Sequence, residues 1–407
     1  MCSIKDGMFL HKTPQEQVDI KYSEEICQKC QQVGEIYKLH HRMAECKSCY
    51  QIYVSHKFRA TLASSKALGQ GGNVMLIFDS TPESIVLLDL MRIAQSKTNF
   101  KRLNCVQYIL FIDVYDLCNE AFNSDEYSYY IQNGLKVISY FKVAKRYVVN
   151  VRNVKNPIPF DVNDIEQYFA RDRFEEISFS KSCNGIRTVT SRNEFVKLHY
   201  HNLIASVGTY LNCKYIFLPT VNNSLAVDML SAIVLGRGNN AALDVACEDD
   251  RLGNGLKVIR PLKGLSKPEI ELYILATNLK LLNTTNNWKS KGLTSLQSLT
   301  ELFVGNLQKQ YPATVHTIIR TGNKIATSSY IEDREKIRGD LNIGLCSLCR
   351  SPFLLTASNT ILAVDYSLYV SAEGSMNSLE NFIAHLDTNR KKQSICYSCE
   401  YIKRDCN

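Results

Sequence analysis

Four Cys-x-x-Cys pairs bracket this 407-residue chain, and nothing comparable lies between them. Cys27/Cys30 and Cys46/Cys49 come near the start; Cys346/Cys349 and Cys396/Cys399 come near the end. The first quartet reads C-x2-C-x15-C-x2-C, the spacing of a zinc ribbon in which two tight turns each present two thiolates to a tetrahedral ion. Two coincidental turns with free thiols explain this spacing less well. Four cysteines fill such a site, so His40 and His41 are read as surface groups rather than ligands. The second quartet has a much longer insert between its pairs. Closure entropy grows only with the logarithm of loop length, so a second zinc site is expected there too, with Cys406 left over. A site closed by four cysteines is structural, because no coordination position stays open for substrate.

The rest of the composition is that of a globular chain, with 45% apolar and 22% charged residues. A net charge of +8 suits an anionic partner but does not demand one. The first residues lack the apolar stretch of a signal peptide, and runs such as Val74–Phe78 and Tyr108–Ile112 are too short to cross a bilayer. A cytoplasmic chain without membrane contact is expected, where paired cysteines favour metal over disulfide. The odd total of 15 cysteines points the same way.

Between the quartets the pattern alternates. Residues 73–78, 106–114, 146–151, 214–219 and 257–262 read as short, continuously apolar strands. Helical periodicity fills 56–66, 84–94, 193–211, 224–235, 293–307 and 312–320. Continuous apolar strands separated by helices imply a doubly wound parallel sheet covered on both faces. The chain divides into a zinc-ribbon module (1–60), an α/β domain with C-terminal helices (61–340) and a second four-cysteine module (341–407). Residues 249–255, DDRLGNG, read as an exposed turn. LGRG (235–238) follows a helix rather than a strand, so it is read as a helix terminator, not a nucleotide loop.

In such a sheet the loop after the first strand is the usual phosphate cradle. Here it is Asp79-Ser80-Thr81-Pro82-Glu83-Ser84, with no glycine and two carboxylates. Asp79 and Glu83 would repel a pyrophosphate, so a helix-capping turn is the better reading.

The ordered set of a four-cysteine knuckle, HKFRA (56–60), a first strand and helix, LGRG, RPLKGLSKPEIELY (260–273) and a four-cysteine tail resembles the cytoplasmic tRNA 2-thiolation protein 2 family. The resemblance runs from about residue 26 to 399. It implies the adenine-nucleotide α-hydrolase (PP-loop) fold and thiolation of wobble uridine 34 in the tRNAs for Lys, Glu and Gln. It also implies a heterodimer with a catalytic homologue, cytoplasmic tRNA 2-thiolation protein 1, and sulfur carried as a thiocarboxylate on a ubiquitin-related modifier. Active relatives carry SGGxDS after the first strand; this chain keeps only the final serine, Ser84. Their mid-domain Cys-x-x-Cys is replaced by Ser191-Arg192-Asn193-Glu194-Phe195, and no cysteine occurs in 274–287. Cys183 and Cys213 have no partner at useful spacing.

The resemblance therefore implies a subunit without catalytic residues, with two structural zinc ions and no ATP. Lys57, Arg59, Arg237, Arg260, Lys263 and Arg320 are the candidates for tRNA phosphate contacts, each weighed against an ordinary surface charge. The basic run 390–392 is read as a solvated stretch. Two other readings stand beside this one: an ATP-using tRNA sulfurtransferase relying on Ser80, Thr81 and Ser84, and a zinc-module scaffold for protein partners.

Overall fold

The computed structural model of the protein describes residues 24–39, 42–65, 71–96, 105–115, 124–152, 159–170, 185–253, 255–279, 295–337, 343–354 and 395–405. His40, His41, Cys183, Cys406 and the basic run 390–392 lie outside them. The chain opens with β1 (Glu24–Ile26), β2 (Val33–Tyr37), β3 (Glu45–Cys46) and α1 (Lys47–Ser64). Next come β4 (Asn73–Phe78), α2 (Pro82–Ser96), β5 (Val106–Asp113), α3 (Ser124–Ser139), β6 (Lys145–Asn150), β7 (Phe160–Asp161), α4 (Ile165–Ala170) and α5 (Val189–Tyr210). They are followed by β8 (Tyr215–Phe217), α6 (Asn222–Val234), α7 (Gly238–Asp244), β9 (Glu248–Asp249), β10 (Lys257–Ile259), α8 (Lys267–Thr277), α9 (Leu296–Gln310) and α10 (Thr314–Ile337). The hairpin β11 (Ile343–Leu345) and β12 (Pro352–Leu354), with α11 (Tyr397–Asp405), completes the described chain.

The central sheet has the order β7-β6-β5-β4-β8-β10-β9. Its five inner strands are parallel, and the two-residue edge strands β7 and β9 pair antiparallel. The strand alternation explains how both faces are buried. Val74, Leu76 and Phe78 of β4 join Ile109 and Phe111 in one core, covered by α1, α2, α3 and α8. Met75 and Ile77 join Leu110 and Ile112 on the other face, against Leu203, Ile204 and Val207 of α5. A third core unites α6, α7, α9 and α10 through Leu225, Met229, Ala241, Val304 and Val315. The chain runs from β4 out to β6 and then returns to β8. Its order therefore reverses between β4 and β8, where sheets of this kind hold their ligands beyond the strands' carboxyl ends.

The doubly wound reading is thus correct, as is LGRG as a terminator: α6 ends at Val234 and Gly236 takes φ +76. Other boundaries move. The helix expected from residue 56 starts at Lys47 and runs without a break past residue 60. The segment 249–255 is not a wholly exposed turn, because Asp249 belongs to β9 and its side chain is only 10% exposed. Among the described residues no helix is long and apolar enough to cross a membrane.

Helix α3 lies close over β5 because position 134 carries no side chain. A Cβ there would meet the Phe111 ring at 2.4 Å. Gly134→Ala is expected to destabilise the fold by about 1–3 kcal/mol through overpacking. Gly305→Ala on α9, where nothing lies within 4 Å, should be neutral or gain up to about 1 kcal/mol. Urea denaturation of both variants checks the contrast.

Candidate functional site

In each quartet the four Sγ atoms lie within 4.8 Å of one another. Cys30 and Cys46 approach to 3.7 Å, and Cys349 and Cys396 to 3.5 Å. Ligands about 2.3 Å from a tetrahedral ion stand about 3.8 Å apart, so each set fits one such ion. A cubane cluster, whose thiolates bind separate irons, would hold the sulfurs wider.

The two clusters share one design. In the first, the knuckle closes with Cys27 N–H on Gln32 O (2.9 Å) and Gln31 N–H on Cys27 O (2.9 Å), with Gln31 at φ 61. In the second, Cys346 N–H reaches Ser351 O (3.0 Å) and Arg350 N–H reaches Cys346 O (2.9 Å), with Arg350 at φ 56. Each second pair then opens a helix: Cys46 precedes α1 and Cys396 precedes α11. The first turn of each helix thus fixes where half of each thiol set stands.

The modules dock at different places. The first is held through Glu269, only 7% exposed on α8. Its Oε1 accepts Tyr53 Oη (2.5 Å) and Lys57 Nζ (2.8 Å), its Oε2 accepts Ser266 N–H (2.8 Å), and its carbonyl accepts Tyr50 Oη (2.8 Å). Burial works to raise the Glu269 pKa, but Lys57 and these donors outweigh it and hold the carboxyl below its ordinary value. The second module packs Cys346, Cys396, Cys399 and Ile402 on Leu198 and Phe195 of α5. Asn202 donates to Leu348 O (3.0 Å) and Ser398 Oγ to Leu235 O (3.2 Å).

The loop after β4 is closed upon itself. Asp79 Oδ1 accepts from Thr81 N–H (3.2 Å) and Thr81 Oγ1 (2.6 Å). Thr81 in turn receives Ser84 N–H on its Oγ1 (3.3 Å) and Ser84 Oγ on its carbonyl (2.8 Å), while Pro82 starts α2. The Ser84 and Ile85 amides of α2 therefore have acceptors already. Ser80 is buried at φ 64, a conformation that costs a side-chain-bearing residue about 1 kcal/mol or more. Burial pushes the pKa values of Asp79 and Glu83 up.

The neighbouring strand end is filled too. Asp113, fully buried at the end of β5, accepts from Tyr127 Oη (2.8 Å), Tyr168 Oη (2.6 Å) and Asn150 Nδ2 (3.0 Å). In the segment 191–195, Glu194 pairs with Arg237 and accepts Gln297 Nε2 at 3.0 Å. Cys213 is buried, which pushes its thiol up to about 12.

Of the six basic candidates, only Arg320 is exposed. Lys57 is bound to Glu269, and Arg59 reaches the carbonyl of Ala94 at 3.4 Å. Arg237 is 8% exposed and paired with Glu194; Arg260 is 4% exposed, on Ala246 O at 2.9 Å. Lys263 donates to Val245 O and to Asn323 Oδ1, and burial lowers its pKa to about 8. The sequence reading passed over Glu269, Asp113 and Arg251. Ser266-Lys267-Pro268-Glu269 does carry the capping-box signature that would have flagged Glu269.

Comparison with known proteins agrees with this anatomy. A family profile described as Cytoplasmic tRNA 2-thiolation protein 2 matches residues 295–401. Proteins of that name are similar along nearly the whole chain. One from Drosophila willistoni is 35% identical over 387 residues, covering 93% of this chain and 91% of its own. One from Drosophila persimilis is 35% identical over 384 residues, covering 93% and 90%. Among solved structures, the U34-tRNA thiolase NcsA from Methanococcus maripaludis with its 4Fe-4S cluster is similar in fold. It aligns at TM-score 0.52 and 14% identity, over 74% of this chain and 87% of that one.

Lys57→Met is expected to cost about 2 kcal/mol at neutral pH, the worth of a hydrogen-bonded charge on Glu269. The lowered pKa belongs to the folded state. The contribution is therefore present above the ordinary carboxylate range and lost as pH falls through the lowered value. Denaturation midpoints of wild type and variant should converge in acid.

Proposed function

From the premise that this chain belongs to the cytoplasmic tRNA 2-thiolation protein 2 family, we propose that it is the non-catalytic half of a tRNA thiolation enzyme in the cytoplasm. The observation that carries this reading is the closed loop at Asp79–Ser84. Adenylating a uridine carbonyl needs free backbone donors around a pyrophosphate, and here the α2 amides are taken by Thr81 beside two carboxylates. In this reading Ser191 and Glu194 take the place of the thiols or cluster that handling sulfur requires.

In this reading the catalytic work falls to a homologous PP-loop partner, cytoplasmic tRNA 2-thiolation protein 1. The targets are wobble uridine 34 of the tRNAs for Lys, Glu and Gln, and sulfur arrives on a thiocarboxylated ubiquitin-related modifier. Each thiol quartet takes one zinc ion as a structural clasp, for which the tight sulfur spacing is the support. Arg320 is the favoured tRNA contact among the six candidates, because its charge faces solvent. The other five would reach RNA only after giving up partners inside the fold.

Reconstitution tests the proposal. The isolated chain should bind no ATP and carry out no ATP-dependent thiolation. Asp79→Ala should leave the thiolation rate of the assembled complex within about twofold of wild type. Thiolation by the isolated chain would refute the assignment. Metal analysis should give two zinc ions per chain, falling to one in Cys27→Ser.

A further inference from the structure

We propose that the cleft between the second thiol module and the carboxyl end of the sheet is a binding site for one phosphate group. The cleft lies beyond β8 and β10, walled by α5, the residue before α7, the turn after β9 and the knuckle Leu348–Ser351. Five cationic side chains line it: Lys197, Arg237, Arg251, Arg260 and Arg350.

Two carboxylates line the cleft with them, Asp244 and Asp249, and Arg251 takes up both; behind the wall Glu194 pairs with Arg237 and Asp228 Oδ1 meets Lys197 Nζ at 2.9 Å, so five cations face four carboxylates. It contacts Asp244 Oδ1 at 2.6 Å and Asp249 Oδ2 at 2.6 Å, and gives a further donor to Ser351 Oγ at 3.1 Å. The other cations keep donors to spare. Arg350 Nη1 is on Leu252 O at 2.5 Å, and Arg260 Nη1 is on Ala246 O at 2.9 Å, with only a distant Asp249 at 3.7 Å. Arg237, more than nine-tenths buried, pairs with Glu194 through Nη2, and its Nε has no hydrogen-bond acceptor. Guanidinium groups buried with unused donors are expensive unless an anion completes them.

Two further features agree. His201, which lines the same cleft, is held neutral: burial, then Lys197 and Arg260, lower its pKa to about 4. Leu218, Leu252 and Val258 supply apolar walls that strengthen any charge pairing inside. The volume is about 50 Å³, room for about four waters and so for a phosphate group rather than a nucleoside. Arg350 and Ser351 belong to the knuckle that Cys346 and Cys349 close, so the site is whole only when the second clasp is formed.

Inorganic phosphate and an RNA phosphodiester share this chemistry; the RNA source alone rests on the tRNA reading above. The test is calorimetric titration of the full-length, metal-replete chain with inorganic phosphate, alone and with tRNA present. Saturable binding of one phosphate per chain is expected. Arg350→Gln and Lys197→Gln should each weaken it about tenfold, the scale of one charge-assisted hydrogen bond. Lys309→Gln, exposed on α9 and outside the cleft, should leave it unchanged, and zinc content and melting temperature verify that each variant is folded. Competition by tRNA identifies the phosphodiester as the source, and simultaneous binding identifies free phosphate. Absence of saturable phosphate binding, or binding indifferent to both substitutions, overturns the site. Phosphate binding in a chain that never engages tRNA would instead refute the functional reading and leave the site standing.

Discussion

One carboxylate ties the molecule together. Glu269 caps the helix that covers the sheet, and the same group receives Tyr53 and Lys57 from the helix that grows out of the first thiol cluster. A buried carboxylate is tolerable only when its oxygens are saturated, so α1 and α8 satisfy each other or neither does. Position and charge are thus settled together: the module must dock at this spot, because only here is Glu269 answered. Tyr50, bonded to the carbonyl of the same residue, adds a second strut a turn away.

The centre of the sheet is equally committed. A phosphate cradle works by leaving backbone donors unsatisfied until a ligand arrives. In this chain Thr81 accepts the Ser84 and Ile85 amides in advance, Asp79 braces Thr81, and Tyr130 stands over Ser80. Beside it, Asp113 is enclosed by two tyrosines and an asparagine. Packing fills this end of the sheet, and Ser80 holds a left-handed backbone that glycine would adopt without strain.

Much of this was legible in the chain. Strand β4 begins and ends at the expected residues because its apolar run is continuous, and the quartets were fixed by spacing alone. Two-residue edges such as β7 and β9 leave no periodic signal, since two residues cannot show a period of two. The start of α1 was hidden because its first turns belong to the cysteine module. The kinship of the two clusters was hidden by unequal spacing, although Gln31 and Arg350 turn the chain in the same way. Least legible was the fate of the cations. Nothing in Arg237 or Arg260 as letters announces that Glu194 or Ala246 will claim them, because those pairings arise from distant segments.

The shared clasp design has a consequence for the order of assembly. The first cluster joins residues such as Cys30 and Cys46, 16 positions apart, and its cysteine turns precede every strand of the central sheet. It can close while the rest of the chain is still being synthesised. The second joins Cys349 to Cys396, 47 positions apart, and seats on α5, so its geometry depends on contacts between distant segments of the chain. One clasp is thus local in the chain and the other long-range, and a chain whose α5 is out of place offers the second clasp no surface to pack against.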